Sequence, residues 1–153
     1  MRKVSSAKIL IIDSDKFDYY QSIGYEDEIY PIFSEEIDNG LFEFYFARNL
    51  SEASTQIQLI KPDLLISEIA LTPNLLDSRL DVCLSNKFSY GFKIFEILNQ
   101  LNCSSIPVIF WSTLGDEQEY ISKTEALGAF ACLASDLKSA KKLNKVCHKA
   151  LKI

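Results

Sequence analysis

The run Leu64-Leu65-Ile66 passes through Ser67 into Glu68, between Lys61-Pro62 on one side and Thr72-Pro73 on the other. So short an apolar run, bounded by prolines, suits a buried strand better than a helical turn. Strands that are apolar throughout belong to parallel sheets covered on both faces by helices. Glu68 would then stand at the carboxyl end of the strand, the edge at which open α/β sheets bind ligands. A charged group placed there is a candidate for chemistry rather than packing.

The rest of the chain supplies the partners that such a strand needs. Lys8-Ile9-Leu10-Ile11-Ile12 is a second continuous apolar run and leads directly into Asp13-Ser14-Asp15. Residues 16 to about 38 read as a helix, with an acidic and aromatic extension from Tyr25 to Asp38 around Pro31. Phe42 to Phe46 reads as a strand, and Leu50, Ala53, Ile57 and Ile60 form a helical stripe that Lys61-Pro62 stops. After the central run comes a long irregular segment from Pro73 to Ser89, then a stripe of Ile94, Ile97, Leu98 and Leu101. Ile106 to Trp111 reads as a strand ending at Ser112-Thr113. A helix with Tyr120, Ile121, Thr124 and Leu127 leads through Gly128 to a short strand, Phe130 to Leu133. Ser135 or Asp136 is positioned to cap a last helix whose apolar side holds Ala140, Leu143, Cys147 and Ala150. Five strands alternating with five helices build right-handed βαβ units, and the expected result is a doubly wound parallel α/β sheet.

With 153 residues, 48% of them hydrophobic, the chain suits one compact domain spanning 1–153. No apolar run approaches the roughly 18 residues of a membrane span, and Met1 to Ser6 lacks the apolar segment of a secretion signal. The expectation is a cytoplasmic protein without membrane contact. Cys83, Cys103, Cys132 and Cys147 show no metal-ligand spacing and read as reduced structural thiols. The net charge of −5 is uneven: residues 1 to 80 carry 14 acidic and 7 basic residues, whereas residues 81 to 153 carry 7 and 9. This balance does not favour direct nucleic-acid binding. The last segment nevertheless gathers Lys138, Lys141, Lys142, Lys145, Lys149 and Lys152 with no acid after Asp136, which reads as a solvated helix face.

In order and spacing, four of these features resemble the receiver domain of response regulators. Ile9-Leu10-Ile11-Ile12-Asp13-Ser14-Asp15 is similar to its first strand and acidic pocket, and Lys61 to Glu68 to its phosphoacceptor strand. Ile106 to Ser112 resembles the fourth strand with its terminal hydroxyl, and Ala126-Leu127-Gly128-Ala129 the turn before the fifth. The resemblance implies a flavodoxin-like five-stranded parallel sheet in the order 2-1-3-4-5. It also implies a phosphoryl-transfer site: an aspartate acceptor, acidic residues holding Mg²⁺, a Ser or Thr hydroxyl at the phosphoryl group and a lysine to neutralise it.

The departures from that pattern are concentrated on the chemistry. Glu68 stands at the acceptor position, with its carboxylate one carbon further out, about 1.5 Å. A misplacement near 1 Å can reduce a rate on the order of 100-fold, so in-line attack suffers. Ser14 replaces one acidic residue, leaving Asp13, Asp15 and Glu68 as a weak or absent Mg²⁺ site, since Mg²⁺ demands near-octahedral oxygen ligands. Ser135 falls at the lysine position and Cys132 at the aromatic position that reports phosphorylation, while Ser112 keeps the family type. By resemblance the chain is a pseudo-receiver: a stand-alone signalling domain with no attached effector and no enzymatic activity of its own. It would work by contact with a histidine kinase, a separate effector or a second copy in a homodimer.

Other readings stand beside this one. Asp13 and Asp15 also suit a solvated strand end that caps a helix. Glu68 suits a surface position at a loop entrance, or it imitates a phosphorylated aspartate, imperfectly, because a carboxylate brings one charge and a phosphoryl group nearly two. A divergent Mg²⁺-dependent phosphoacceptor would use Glu68 with Asp13 and Asp15. A flavodoxin-like small-ligand domain would need a glycine-rich phosphate loop that Asp13-Ser14-Asp15-Lys16 does not supply. His148, the single histidine, has no acid near it in sequence and reads as an exposed or half-buried side chain. The 73–89 segment and the 25–38 extension are candidate contact surfaces. The surface that the resemblance implies contains Tyr120, Lys123, Lys138, Lys141 and Lys145.

Overall fold

The computed structural model describes residues 6–13, 29–69, 91–112, 115, 117–135 and 139–153. Its strands are β1 (Ala7–Ile12), β2 (Phe42–Ala47), β3 (Leu64–Ser67), β4 (Val108–Ser112) and β5 (Ala131–Ala134). The helices among the described residues are α1 (Ile29–Asp38), α2 (Leu50–Ile60), α3 (Ile94–Gln100), α4 (Gln118–Leu127) and α5 (Ala140–Leu151). All strand pairs are parallel, in the order β2-β1-β3-β4-β5, so the run that ends at Glu68 is the middle strand.

Strand alternation divides the core into two layers. Ile9 and Ile11 of β1, Leu64 and Ile66 of β3 and Ile109 and Trp111 of β4 pack with Ile29 and Phe33 of α1 and Leu143 and Cys147 of α5. Their neighbours Leu10, Ile12, Leu65, Val108 and Phe110 pack on the other face, against Ala53 and Ile57 of α2 and Ile94 and Leu98 of α3. A strand apolar at every position is what a sheet with helices on both faces requires.

The helix ends follow local chemistry where the sequence offers it. The Asn49 side chain accepts from the backbone N–H of Glu52 at 2.9 Å, and the Glu52 carboxylate reaches back to the N–H of Arg48 at 2.8 Å. Lys61 closes α2 in the left-handed conformation (φ 48°) immediately before Pro62.

The first helix ends at Asp38 as expected, and two later boundaries differ from the sequence expectation. The described part of the first helix is Ile29–Asp38, broken by non-helical dihedrals at Phe33 two residues after Pro31; residues 16–28 lie outside the described residues. It buries Ile29, Phe33 and Glu36, while Glu35 and Asp38 stay exposed. The fifth strand runs one residue later than Phe130–Leu133, and Phe130 is left exposed. Ser135 does not cap the last helix, which begins at Ala140 after Ser139.

Candidate functional site

The register aligns Ile12 with Ser67 and Ser67 with Phe110, so the residues just past β1 and β3 emerge side by side at one edge. Those residues are Asp13 and Glu68, only 6% and 7% exposed. The Asp13 N–H donates to Ala47 O at 3.0 Å, and the Glu68 N–H donates to Ile12 O at 2.9 Å, which extends the sheet by one bond on each side. The sheet itself therefore carries both carboxylates into a nearly dry position.

Burying a carboxylate requires donors to replace water. Glu68 obtains them from its own strand edge: Oε1 accepts from the Ile69 N–H at 2.9 Å and from the Ser112 hydroxyl. Ser112, at the end of β4, is fully buried. Its carbonyl accepts from the N–H groups of Gly115 and Ser135, both at 2.9 Å, which ties the β4 and β5 exits together. Two glycines make this packing possible. A Cβ on Gly91 would strike the carbonyl oxygens of Glu68 and Ile69, and a Cβ on Gly115 would strike the backbone of Leu133 and Ala134. The Gly91 N–H also donates to Ile69 O at 2.7 Å. Neither glycine stood out in the sequence, although Gly91 lies just ahead of the Ile94 stripe, where a close approach to the sheet edge has to occur.

The remaining expected positions divide in two. Ser135 is at the same edge, but its buried hydroxyl has no hydrogen-bond partner among the described residues. Cys132 on β5 is half-buried, with Sγ 3.8 Å from Gly115 O; burial pushes its thiol up, with a smaller push from the Glu68 charge. Tyr120 is half-buried and Lys123 exposed, both beside Phe92. The Tyr120 ring lies 6.3 Å from that of Phe92, and the Lys123 ammonium sits over the same ring at 5.1 Å from its centroid. Burial raises the Tyr120 hydroxyl, helped by the charges of Glu119 and Glu117. Lys141 and Lys145 are exposed on α5, while Ser14, Asp15, Lys138 and the 73–89 segment lie outside the described residues.

Mg²⁺ needs several oxygen ligands near octahedral geometry. Among the described residues Asp13 and Glu68 supply two carboxylates, and Glu68 turns Oε1 toward protein donors instead. No group of three or more potential ligands assembles among those residues. Asp15, the third ligand named from the sequence, lies outside the described residues.

His148 does have an acid, 112 residues away in sequence. Its Nε2 lies 3.0 Å from Glu36 Oε2, and Asn144, one turn earlier on α5, donates to Glu36 Oε1 at 3.1 Å and to Ile32 O at 3.0 Å. The i and i+4 spacing of Asn144 and His148 was visible in the sequence, but the partner on α1 was not.

No family model and no curated protein sequence matches this chain. Solved structures do. A two-component response regulator from Clostridium difficile superposes with a TM-score of 0.66 at 21% identity, over 96% of this chain and 97% of the other. The chemotaxis protein CheY4 of Vibrio cholerae gives 0.64 at 18% identity, over 96% and 100%. The signal receiver domain of a DNA-binding response regulator from Colwellia psychrerythraea 34H gives 0.64 at 19% identity, over 97% and 100%. The fold is that of the response-regulator receiver domain.

Proposed function

We propose that this receiver-fold chain acts in signal transduction by protein contact, as a pseudo-receiver whose site is set by Glu68 rather than by phosphorylation of an aspartate. One observation carries the reading: at the end of the middle strand the Glu68 carboxylate already holds the Ser112 hydroxyl and the Ile69 N–H. In receivers the equivalent hydroxyl contacts the phosphoryl group, so a carboxylate that engages it permanently imitates part of the phosphorylated state. The lack of lysine at Ser135 supports the same reading, because a transferred phosphoryl group would meet no fixed cation there.

A divergent phosphoacceptor is the second reading, favoured by the burial of Asp13 beside Glu68. Amide NMR with Mg²⁺ and then beryllofluoride, a phosphoryl mimic, separates the two. The expected result is no saturable shift at Asp13, Glu68, Ser112 or α5. Saturable shifts at Glu68 that spread to α5 would establish the phosphoacceptor instead.

A further inference from the structure

The outward face of α5 exposes Lys141, Lys142, Lys145 and Lys149, and Lys152 is exposed just past its end. At about 100° and 1.5 Å per residue the four helical lysines fall within an arc of about 100° along about 12 Å of axis. No acidic residue follows Asp136. The ion pairs among the described residues join Arg48 to Glu52 and His148 to Glu36, and none of them takes a lysine of the stripe.

Ordinary exposed helices intersperse the two signs, because like charges three or four residues apart repel. Here Lys141 and Lys145, Lys145 and Lys149, and Lys142 and Lys145 are all such like-charged neighbours. Lys141 and Lys142 also sit in the first turn of α5, where the helix dipole disfavours cations. An anionic partner would relieve both penalties. The inward side of the helix is fixed: Leu143 and Cys147 are fully buried, and Asn144 and His148 hold Glu36 of α1. The lysines therefore project from a rigid support, which lowers the ordering entropy of a contact.

We propose that this stripe docks an acidic helix or segment of a partner protein; the proposal rests on the reading that the chain signals by protein contact. A stripe one helix wide matches carboxylates spaced i, i+4 on an opposing helix. It is narrow for a duplex, since even single DNA-binding modules bury about 600–1,000 Å². The overall charge of −5 and the exposed Glu35 and Asp38 on neighbouring α1 would repel a long polyanion. No large apolar side chain within α5 is exposed to enter a bilayer.

The test measures fluorescence anisotropy of a labelled glutamate-rich helical peptide, with Glu at i and i+4, against the full chain at low and physiological salt. Lys145→Glu/Lys149→Glu changes the stripe, and Lys61→Glu/Lys93→Glu applies the same charge change elsewhere; circular dichroism checks that both fold. The proposal expects saturable binding that salt weakens, reduced about tenfold or more by the stripe variant and little by the control. Equal loss in both variants would reduce the effect to net charge and overturn it. Tighter binding to duplex DNA or to phosphatidylserine vesicles than to the peptide would overturn it in favour of a general polyanion site. A salt-sensitive dimer in sedimentation that the stripe variant abolishes would make the occupant a second copy. Absence of peptide binding would remove the docking site and leave the pseudo-receiver reading to the beryllofluoride titration, which does not involve these lysines.

Discussion

Glu68 can be buried because a strand end, a hydroxyl and a backbone N–H surround one of its oxygens. Glu68→Ala would leave the Ser112 hydroxyl and the Ile69 N–H without that acceptor, so urea unfolding should show a loss of about 1–3 kcal/mol. Glu68→Gln keeps an acceptor oxygen and should lose less. Glu36 has a different balance. Burial raises its carboxyl, but the hydrogen bond from His148 leads the interactions that together bring it below its ordinary value of 4.5. A carboxylate lowered in the folded state stabilises above its unfolded pKa, and that contribution is lost as pH falls through the folded value. Melting wild type and Glu36→Gln side by side should therefore show their difference shrinking as pH is taken below about 4.5, with no comparable change between pH 6 and 8 attributable to Glu36. At this scale the sequence displayed Glu68, Asp13 and Ser112, since each follows an apolar run directly. It did not display the Glu36–His148 pair or the Lys123–Phe92 contact, because both join side chains that only the packing of separate helices brings together.

Elements were legible in proportion to how strongly their own residues specify them. The runs at β1, β3 and β4 admit one reading once helices cover both faces, and α2 carries its cap at Asn49 and its stop at Lys61-Pro62. The first helix was poorly bounded because Pro31 and the kink at Phe33 break its period, while Ile29 and Phe33 still reach the core. The start of α5 was misplaced because Ser135 looks like a cap in sequence, yet its backbone N–H belongs to the β4–β5 junction. The junction between β3 and α3 depends on Gly91. Gly91→Ala would drive a Cβ into two backbone carbonyls that cannot rotate away. It should lower stability by about 2 kcal/mol or more in a denaturant titration, well beyond an ordinary surface substitution.

Across the whole molecule, one sheet separates two cores and is shared by both. Leu65 faces the α2 and α3 layer, whereas Trp111, the single tryptophan, lies in the α1 and α5 layer. If the sheet couples the layers, Leu65→Ala should destabilise by about 2–5 kcal/mol and shift the Trp111 fluorescence transition by as much as the circular dichroism transition. Two separated transitions would show that the layers melt independently. The Gly91 N–H bond to Ile69 O has a geometric consequence as well. The chain leaves the sheet at Ile69 and rejoins it in direct contact with the same residue, so the span to be bridged is nearly zero whatever lies between. Closure entropy rises by only about 0.6 kcal/mol for each doubling of length. A loop anchored at these two posts therefore has almost no distance to span, whatever its length.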